Sequence, residues 1–243
     1  MRIAQSNGIC AFVTMLGSSS AESQTHAAVA LCHLSASAEN KGSITALDAI
    51  PLFVALLARG TSKARTHAAG ALWNLATSAE VKCAIVQANG IGQLVLLLGT
   101  TELPEARESA AAVISELTRS NKGNLPLIAD AGAIPPLVVT MCEGTAGAQK
   151  HATCALWGLT QEKTEGARYR TELAKTEGAV ARLVELLKGH EGETQGFAAA
   201  TLVGIAQDAD GQEAIRSVGG GGPLMSLALG GHGWLRGQAV EVL

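Results

Sequence analysis

The sequence predicts an all-α solenoid in which a three-helix unit recurs along 243 residues. Two apolar motifs alternate, each returns at a nearly constant spacing, and the apolar positions inside each follow the period of an α-helix. The first motif is typified by AIPLFVALL at 49–57, and a degraded copy, GGPLMSLAL, lies at 221–229. Its second residue is aliphatic in five copies, at steps of 41, 41, 43 and 46 residues: Ile9, Ile50, Ile91, Ile134 and Val180. Such a period is typical of helical solenoids.

The second motif is typified by THAAGALWNL at 66–75 and recurs at 25–34, 108–117, 150–159 and 196–205, and GQAVEVL at 237–243 falls in the same register. We take Asn74 as position zero of this motif. The equivalent residues are His33, Glu116, Gly158 and Gly204. Positions −6, −5, −3, −2 and +1 are Ala, Leu, Ile, Val or Thr in all five copies and share one helical face, whereas positions 0, −1, −4, −7 and −8 share the opposite face. The motif is therefore an amphipathic helix with a buried stripe and an open stripe.

A short polar segment precedes each copy of the first motif and predicts a further, short helix. Examples are 37–47 and 78–88, which carry Glu39 and Glu80 near the expected helix start. Pro51 and Pro135 lie where the next helix should begin, a position that tolerates the missing N–H. Three helices in each unit favour an armadillo repeat over a HEAT repeat, which has two.

The segment AAGALWNLA at 68–76, followed by a polar turn and an NGI or AIP element, resembles the armadillo repeat of the β-catenin, importin-α and vacuolar-protein-8 type. The resemblance covers nearly the whole chain, as repeats at 1–37, 38–78, 79–120, 121–161, 162–208 and a partial repeat at 209–243. It implies a right-handed superhelix whose third helices line a concave groove, and a protein-binding scaffold. We expect a single armadillo domain over 1–243 that is an excerpt of a longer array, with further repeats or domains in cis.

Composition excludes several other classes of protein. Apolar residues make up 47% of the chain and the net charge is −3, so a disordered chain and a general nucleic-acid binder are both disfavoured. No apolar run of about 20 residues predicts a membrane span, and the first ten residues lack the apolar core of a secretory signal. Five cysteines without CxxC spacing predict reduced thiols in the cytoplasm or nucleus, and no cofactor is expected.

The open stripe of the third helices supplies the residues that we expect to bind a partner. They are His26, His33, His67, Trp73, Asn74, Glu108, Glu116, Lys150, His151 and Trp157. In families that bind extended peptides, Asn at position zero and Trp at −4 form ladders along the peptide. Here only Asn74 is kept and position −4 carries small residues, which argues against an importin-like reader of nuclear-localisation signals. The tryptophans at −1, Trp73 and Trp157, are either anchors for a partner or packing against the next repeat.

Histidines recur on the same stripe, at −7 in three repeats and at zero in one. A metal ion needs ligands within about 2.1 Å, and we expect the spacing of one repeat to keep these side chains too far apart. They are then either partner-binding groups with some pH sensitivity or ordinary solvated histidines. Charges on the stripe are mixed with a small acidic surplus, which favours a basic or neutral ligand.

The junction 161–176 is about five residues longer than the others and carries Arg168, Tyr169 and Arg170. These residues form either a secondary partner-binding site or a neutral extension of the first helix.

No catalytic or nucleotide-binding signature is present. The sequence therefore predicts a non-catalytic protein–protein interaction scaffold. The alternatives are the substrate-recruiting region of a U-box ubiquitin ligase, a nuclear-import-type adaptor, or, least supported, an independent enzyme.

Overall fold

The structure is a computed structural model that describes residues 8–100, 103–162, 165–189 and 192–230. Over these residues the chain forms sixteen α-helices and no β-strand, so the predicted all-α repeat architecture is confirmed. The chain divides into two compact units, Met1–Ser120 (unit 1) and Asn121–Leu243 (unit 2).

Unit 1 contains the second and third helices of repeat 1 and three helices each of repeats 2 and 3. Its helices are α1 (Gly8–Leu16), α2 (Ala21–Ser35), α3 (Ala38–Ala46), α4 (Ala49–Arg59), α5 (Ser62–Leu75), α6 (Ala79–Gln87), α7 (Gly90–Leu98) and α8 (Pro104–Ser120). The third helices α2, α5 and α8 stack in that order. Their paired alanines are fully buried, as Ala68 and Ala69 of α5 illustrate. These small side chains let neighbouring third helices approach closely, as the phase of the motif predicts.

Unit 2 continues the same plan. Its helices are α9 (Asn124–Asp130), α10 (Ile134–Glu143), α11 (Ala146–Thr160), α12 (Gly166–Lys175), α13 (Ala179–Gly189), α14 (Glu193–Ile205), α15 (Ala209–Ser217) and α16 (Gly221–Gly230). The third helices α11 and α14 pack on each other. The sixth copy of the third-helix motif, at 237–243, lies outside the described residues.

A left-handed residue forms the corner between the first and second helices of every described repeat that has both. In repeats 2 and 3 this residue is Asp48 (φ 54°) and Asn89 (φ 57°). In repeats 4, 5 and 6 it is Gly132, Gly178 and Gly219, with φ between 70° and 75°. Gly, Asn and Asp tolerate this conformation best. The residue turns the chain by 87° between α3 and α4 and between α6 and α7, and by 82° between α9 and α10.

None of the described helices is both long and apolar enough to cross a membrane alone. Those three bent pairs reach the required length and composition only when the two helices of each pair are counted together.

Candidate functional site

The open side of α2, α5 and α8 forms a surface that we call the unit 1 face. The predicted residues on it are His26, His33, His67, Trp73, Asn74, Glu108 and Glu116. The three helices approach one another around Gly70. A Cβ placed on Gly70 would lie 3.0 Å from Cys32 Sγ and 3.9 Å from Ser109 Oγ. The small residue at position −4 is thus needed for packing, which explains why a bulky ladder residue is missing there.

Asn74 links repeat 2 to repeat 1. Its Nδ2 donates to the carbonyl oxygen of Cys32 (3.2 Å) and to Ser35 Oγ (3.1 Å), both at the end of α2. Ser35 is buried and its hydroxyl in turn donates to Cys32 O (2.7 Å). The amide nitrogen of the single ladder asparagine is therefore occupied within the protein, and only the rest of this half-buried side chain remains for a ligand.

Trp73 precedes Asn74 on α5 and keeps 36% of its surface exposed. Seven other large apolar side chains of the described residues are more exposed, but Trp73 is the only one of the eight with an aromatic ring. A rigid aromatic surface of this kind is the usual anchor of a protein interface.

The histidines of unit 1 differ in their burial and in the side chains next to them. His33 of α2 and His67 of α5 are neighbours, with ring centroids 6.1 Å apart and ring planes tilted by 52°. Burial lowers the pKa of His67, and the neighbouring His33 and Lys63 lower it further. His67 is therefore neutral at neutral pH. His26 is exposed, and its Nε2 lies 3.8 Å from Glu22 Oε1.

Glu116, at position zero of repeat 3, is partly neutralised by two cations. Lys82 Nζ of α6 lies 2.9 Å from its Oε2, and Arg119 Nη1 lies 3.6 Å from its Oε1. Lys82 is well buried in this pair, since only 13% of its side chain is exposed. Glu108, one turn from the start of α8, is half-buried.

The open side of α11 and α14 carries Lys150, His151 and Trp157, and we call it the unit 2 face. Trp157 packs on Phe197, with ring centroids 5.5 Å apart and planes 32° apart. The sequence left two roles open for Trp157, an anchor for a partner or packing within the protein. In the structure Trp157 packs against the third helix of the next repeat. Lys150 Nζ forms an exposed ion pair with Glu193 Oε2 at 3.5 Å, and His151 is half-buried.

The longer junction places its residues on α12, which has ten residues against nine in α3 and α6. Tyr169 is only 1% exposed and donates to Glu165 Oε2 at 3.2 Å. Burial, the Glu165 carboxylate and their hydrogen bond raise the pKa of Tyr169 to about 12. A ring that is 1% exposed offers almost no surface to a partner, so for Tyr169 the burial favours the second interpretation, an extension of the first helix.

The two arginines beside Tyr169 also make contacts inside unit 2. Arg170 Nε donates to Asp208 Oδ2 at 2.7 Å, which fastens α12 to the start of α15. Arg168 pairs with Asp130 at 3.3 Å and covers the Tyr169 ring at 5.8 Å, but most of its side chain is exposed. Of the three predicted residues, Arg168 is the one that a partner can reach.

The part of the chain that the structure describes contains no group of three or more His, Cys, Asp or Glu side chains close enough to hold a metal ion. Two hollows of about 350 Å³ and 380 Å³ lie along the first helices α3 and α6, around Thr45 and Glu80. None of the predicted site residues lines either hollow.

Comparison with known proteins agrees with this architecture. Residues 1–36 match the model of the Armadillo/beta-catenin-like repeat, and no curated protein sequence gives a significant match. An engineered protein of known structure is 28% identical, with a TM-score of 0.79 over 98% of this chain and 95% of its own. Computationally designed armadillo repeat proteins for modular peptide recognition are 22% identical, with a TM-score of 0.80 over 95% of this chain and 96% of their own.

A further similar structure is a designed armadillo repeat protein in complex with the peptide (KR)4. It is 20% identical and has a TM-score of 0.76 over all of this chain and 98% of its own. Residues 1–36 thus resemble an armadillo repeat, and the described chain shares the all-α solenoid fold of the designed armadillo repeat proteins.

Proposed function

We propose that the chain is a non-catalytic interaction scaffold and that its unit 1 face binds an extended segment of a partner protein. The observation that carries this proposal is the exposed Trp73 ring, which lies beside the half-buried Asn74 in the centre of three stacked third helices. The similar designed proteins are peptide binders, one of them in complex with (KR)4, which supports the same use of this fold.

The dimensions and charges of the face suit such a ligand. Stacked helices lie about 10 Å apart and an extended peptide advances about 3.3 Å per residue, so each repeat passes about three peptide residues. The acidic side chains Glu105, Glu108 and Glu116 gather on α8. Lys82 and Arg119 offset only part of this charge. We expect a basic or neutral segment, with an apolar side chain that packs on Trp73.

The two tryptophans at position −1 give a matched test of this proposal. Peptides are selected on the purified chain from a random displayed library, and the dissociation constant of the best peptide is measured by fluorescence polarisation. Trp73→Ala should weaken binding about tenfold or more, as loss of an aromatic anchor does. Trp157→Ala should lower stability while the peptide still binds the unit 1 face. Unchanged affinity in Trp73→Ala would refute the assignment of this face.

We propose a cytoplasmic or nuclear location for this scaffold, because cysteines that form no disulfide suit those compartments. The substrate-recruiting region of a U-box ligase and a nuclear-import-type adaptor stay as alternative hypotheses. The full-length reading frame tests the first, since a U-box would have to be encoded beside these repeats. The small residues at position −4 count against the second.

A further inference from the structure

We infer that His33 and His67 form a two-imidazole site for a divalent transition-metal ion on the unit 1 face. The two side chains come from neighbouring third helices, α2 and α5, and their ring centroids are 6.1 Å apart. The inference does not depend on the proposed peptide binding, and its test uses no peptide.

The distance between the rings fits one bridging ion. A zinc–imidazole bond is about 2.0–2.1 Å long, which puts each ring centroid about 3.2 Å from the ion. Two such rings are then about 6.4 Å apart when they lie opposite each other, as in tetragonal sites, and about 5.2 Å apart in tetrahedral geometry. The observed separation lies between these limits, so a side-chain rotation that changes the separation by about 1 Å or less reaches the distance of either geometry.

The spacing of one repeat does not keep these two histidines apart, contrary to the expectation from the sequence. Position zero of repeat 1 faces position −7 of repeat 2 because α2 and α5 approach closely, with Cys32 Sγ only 3.0 Å from where a Cβ of Gly70 would lie. His33 is exposed and His67 is half-buried. An ion from solvent therefore reaches both rings without any opening of the core.

The surroundings set the kind of ion and the strength of binding. Imidazole nitrogen suits Zn²⁺, Cu²⁺ and Ni²⁺, whereas Mg²⁺ and Ca²⁺ prefer oxygen. No third His, Cys, Asp or Glu of the described residues is grouped with the pair, so water completes the coordination. Lys63 lies one turn before His67 on α5, and its charge opposes a cation. We therefore expect an open site of micromolar affinity.

Isothermal titration with NiCl₂ at pH 7.5 tests the inference, because Ni²⁺ favours imidazole over the five thiols. The wild-type chain should bind one ion, and His33→Ala and His67→Ala should each weaken binding about tenfold or more. His26→Ala and His151→Ala, which remove histidines outside the pair, should leave the affinity within about twofold. Cys32→Ser should also leave it unchanged, which separates the imidazole pair from the adjacent thiol.

A second measurement guards against an effect of folding. In NMR spectra of the imidazole groups, Zn²⁺ should shift the His33 and His67 resonances together at one equivalent. His67→Gln keeps a polar side chain on the open face and should abolish the shift at His33. Equal affinity in wild type, His33→Ala and His67→Ala would overturn the site, as would equal losses in the two histidine controls.

Discussion

Gly204→Ala tests how closely the third helices are packed. Gly204 is the position-zero residue of α14, and a Cβ at this position would lie 2.7 Å from Thr160 Oγ1 and 2.8 Å from Thr160 Cβ. Carbon atoms in contact normally lie about 3.5–4.0 Å apart, so the new methyl group overlaps Thr160 by nearly 1 Å. Thr160 is buried and its hydroxyl donates to the Trp157 carbonyl at 2.7 Å, which hinders its rotation away from the methyl group.

Two opposing terms set the expected size of the effect. Replacing Gly by Ala inside a helix stabilises it by about 0.5–1 kcal/mol, whereas inserting a methyl group into a packed core costs about 1–3 kcal/mol. The overlap involves Oγ1 and Cβ of the buried Thr160, so the steric cost should exceed the gain in helix propensity. Gly204→Ala should therefore destabilise the protein by about 1–2 kcal/mol. Urea unfolding followed by far-UV circular dichroism measures the difference.

A control substitution measures the gain in helix propensity without the steric cost. Gly42 lies in the middle of α3, and a Cβ there would meet nothing within 4 Å. Gly42→Ala should therefore stabilise the protein by about 0.5–1 kcal/mol through helix propensity alone. If Gly204→Ala stabilised the protein as much as Gly42→Ala does, the close packing of α11 against α14 would be wrong.

Three further predictions concern unit 2. Trp157→Ala and Phe197→Ala should be non-additive in a double-mutant cycle, with a coupling of about 0.5–1.5 kcal/mol because their rings pack on each other; a coupling near zero in urea unfolding would contradict the contact. Tyr169 has its pKa raised to about 12 from an ordinary value near 10, so its contribution to stability should be complete below pH 10 and lost as the pH rises through 12; phenolate absorbance at 295 nm reports this single tyrosine, and ionisation at pH 10 would refute its burial. Asp208→Asn should cost about 1–2 kcal/mol, because it weakens a charged hydrogen bond to the mostly buried Arg170; thermal unfolding tests this, and an unchanged midpoint would show that the pair contributes little.

The periodic pattern of apolar residues was sufficient to predict the helices and their buried sides. Burial of Ala68, Ala69 and Leu72 follows from the phase of the motif alone. The corners between helices were harder to predict. Asp48 and Asn89 adopt the left-handed conformation although neither is glycine. Aligning the repeats on this corner is needed to see that Asp48, Asn89 and Gly132 occupy the same position and share a positive φ.

The candidate site was predicted as a set of residues but not as a set of contacts. Trp73 and Trp157 occupy the same position of their repeats, yet one is exposed and the other is packed on Phe197. The two tryptophans differ in the residue at position −7 of the next repeat, which is Phe197 after Trp157 and Ser109 after Trp73. His33 and His67 likewise pair position zero of one repeat with position −7 of the next.

The packing of Trp157 on Phe197 has a consequence for recombining these repeats. Phe197, at position −7 of repeat 5, packs on Trp157 of repeat 4. The two residues of this contact therefore belong to two neighbouring repeats rather than to one. Shuffling whole repeats would therefore separate such partners, and placing the third helix of repeat 5 directly after repeat 2 would bring a phenylalanine to Trp73 and mask it. A chimaera that cuts each repeat in the middle of its third helix, between positions −7 and −1, should keep every such pair intact.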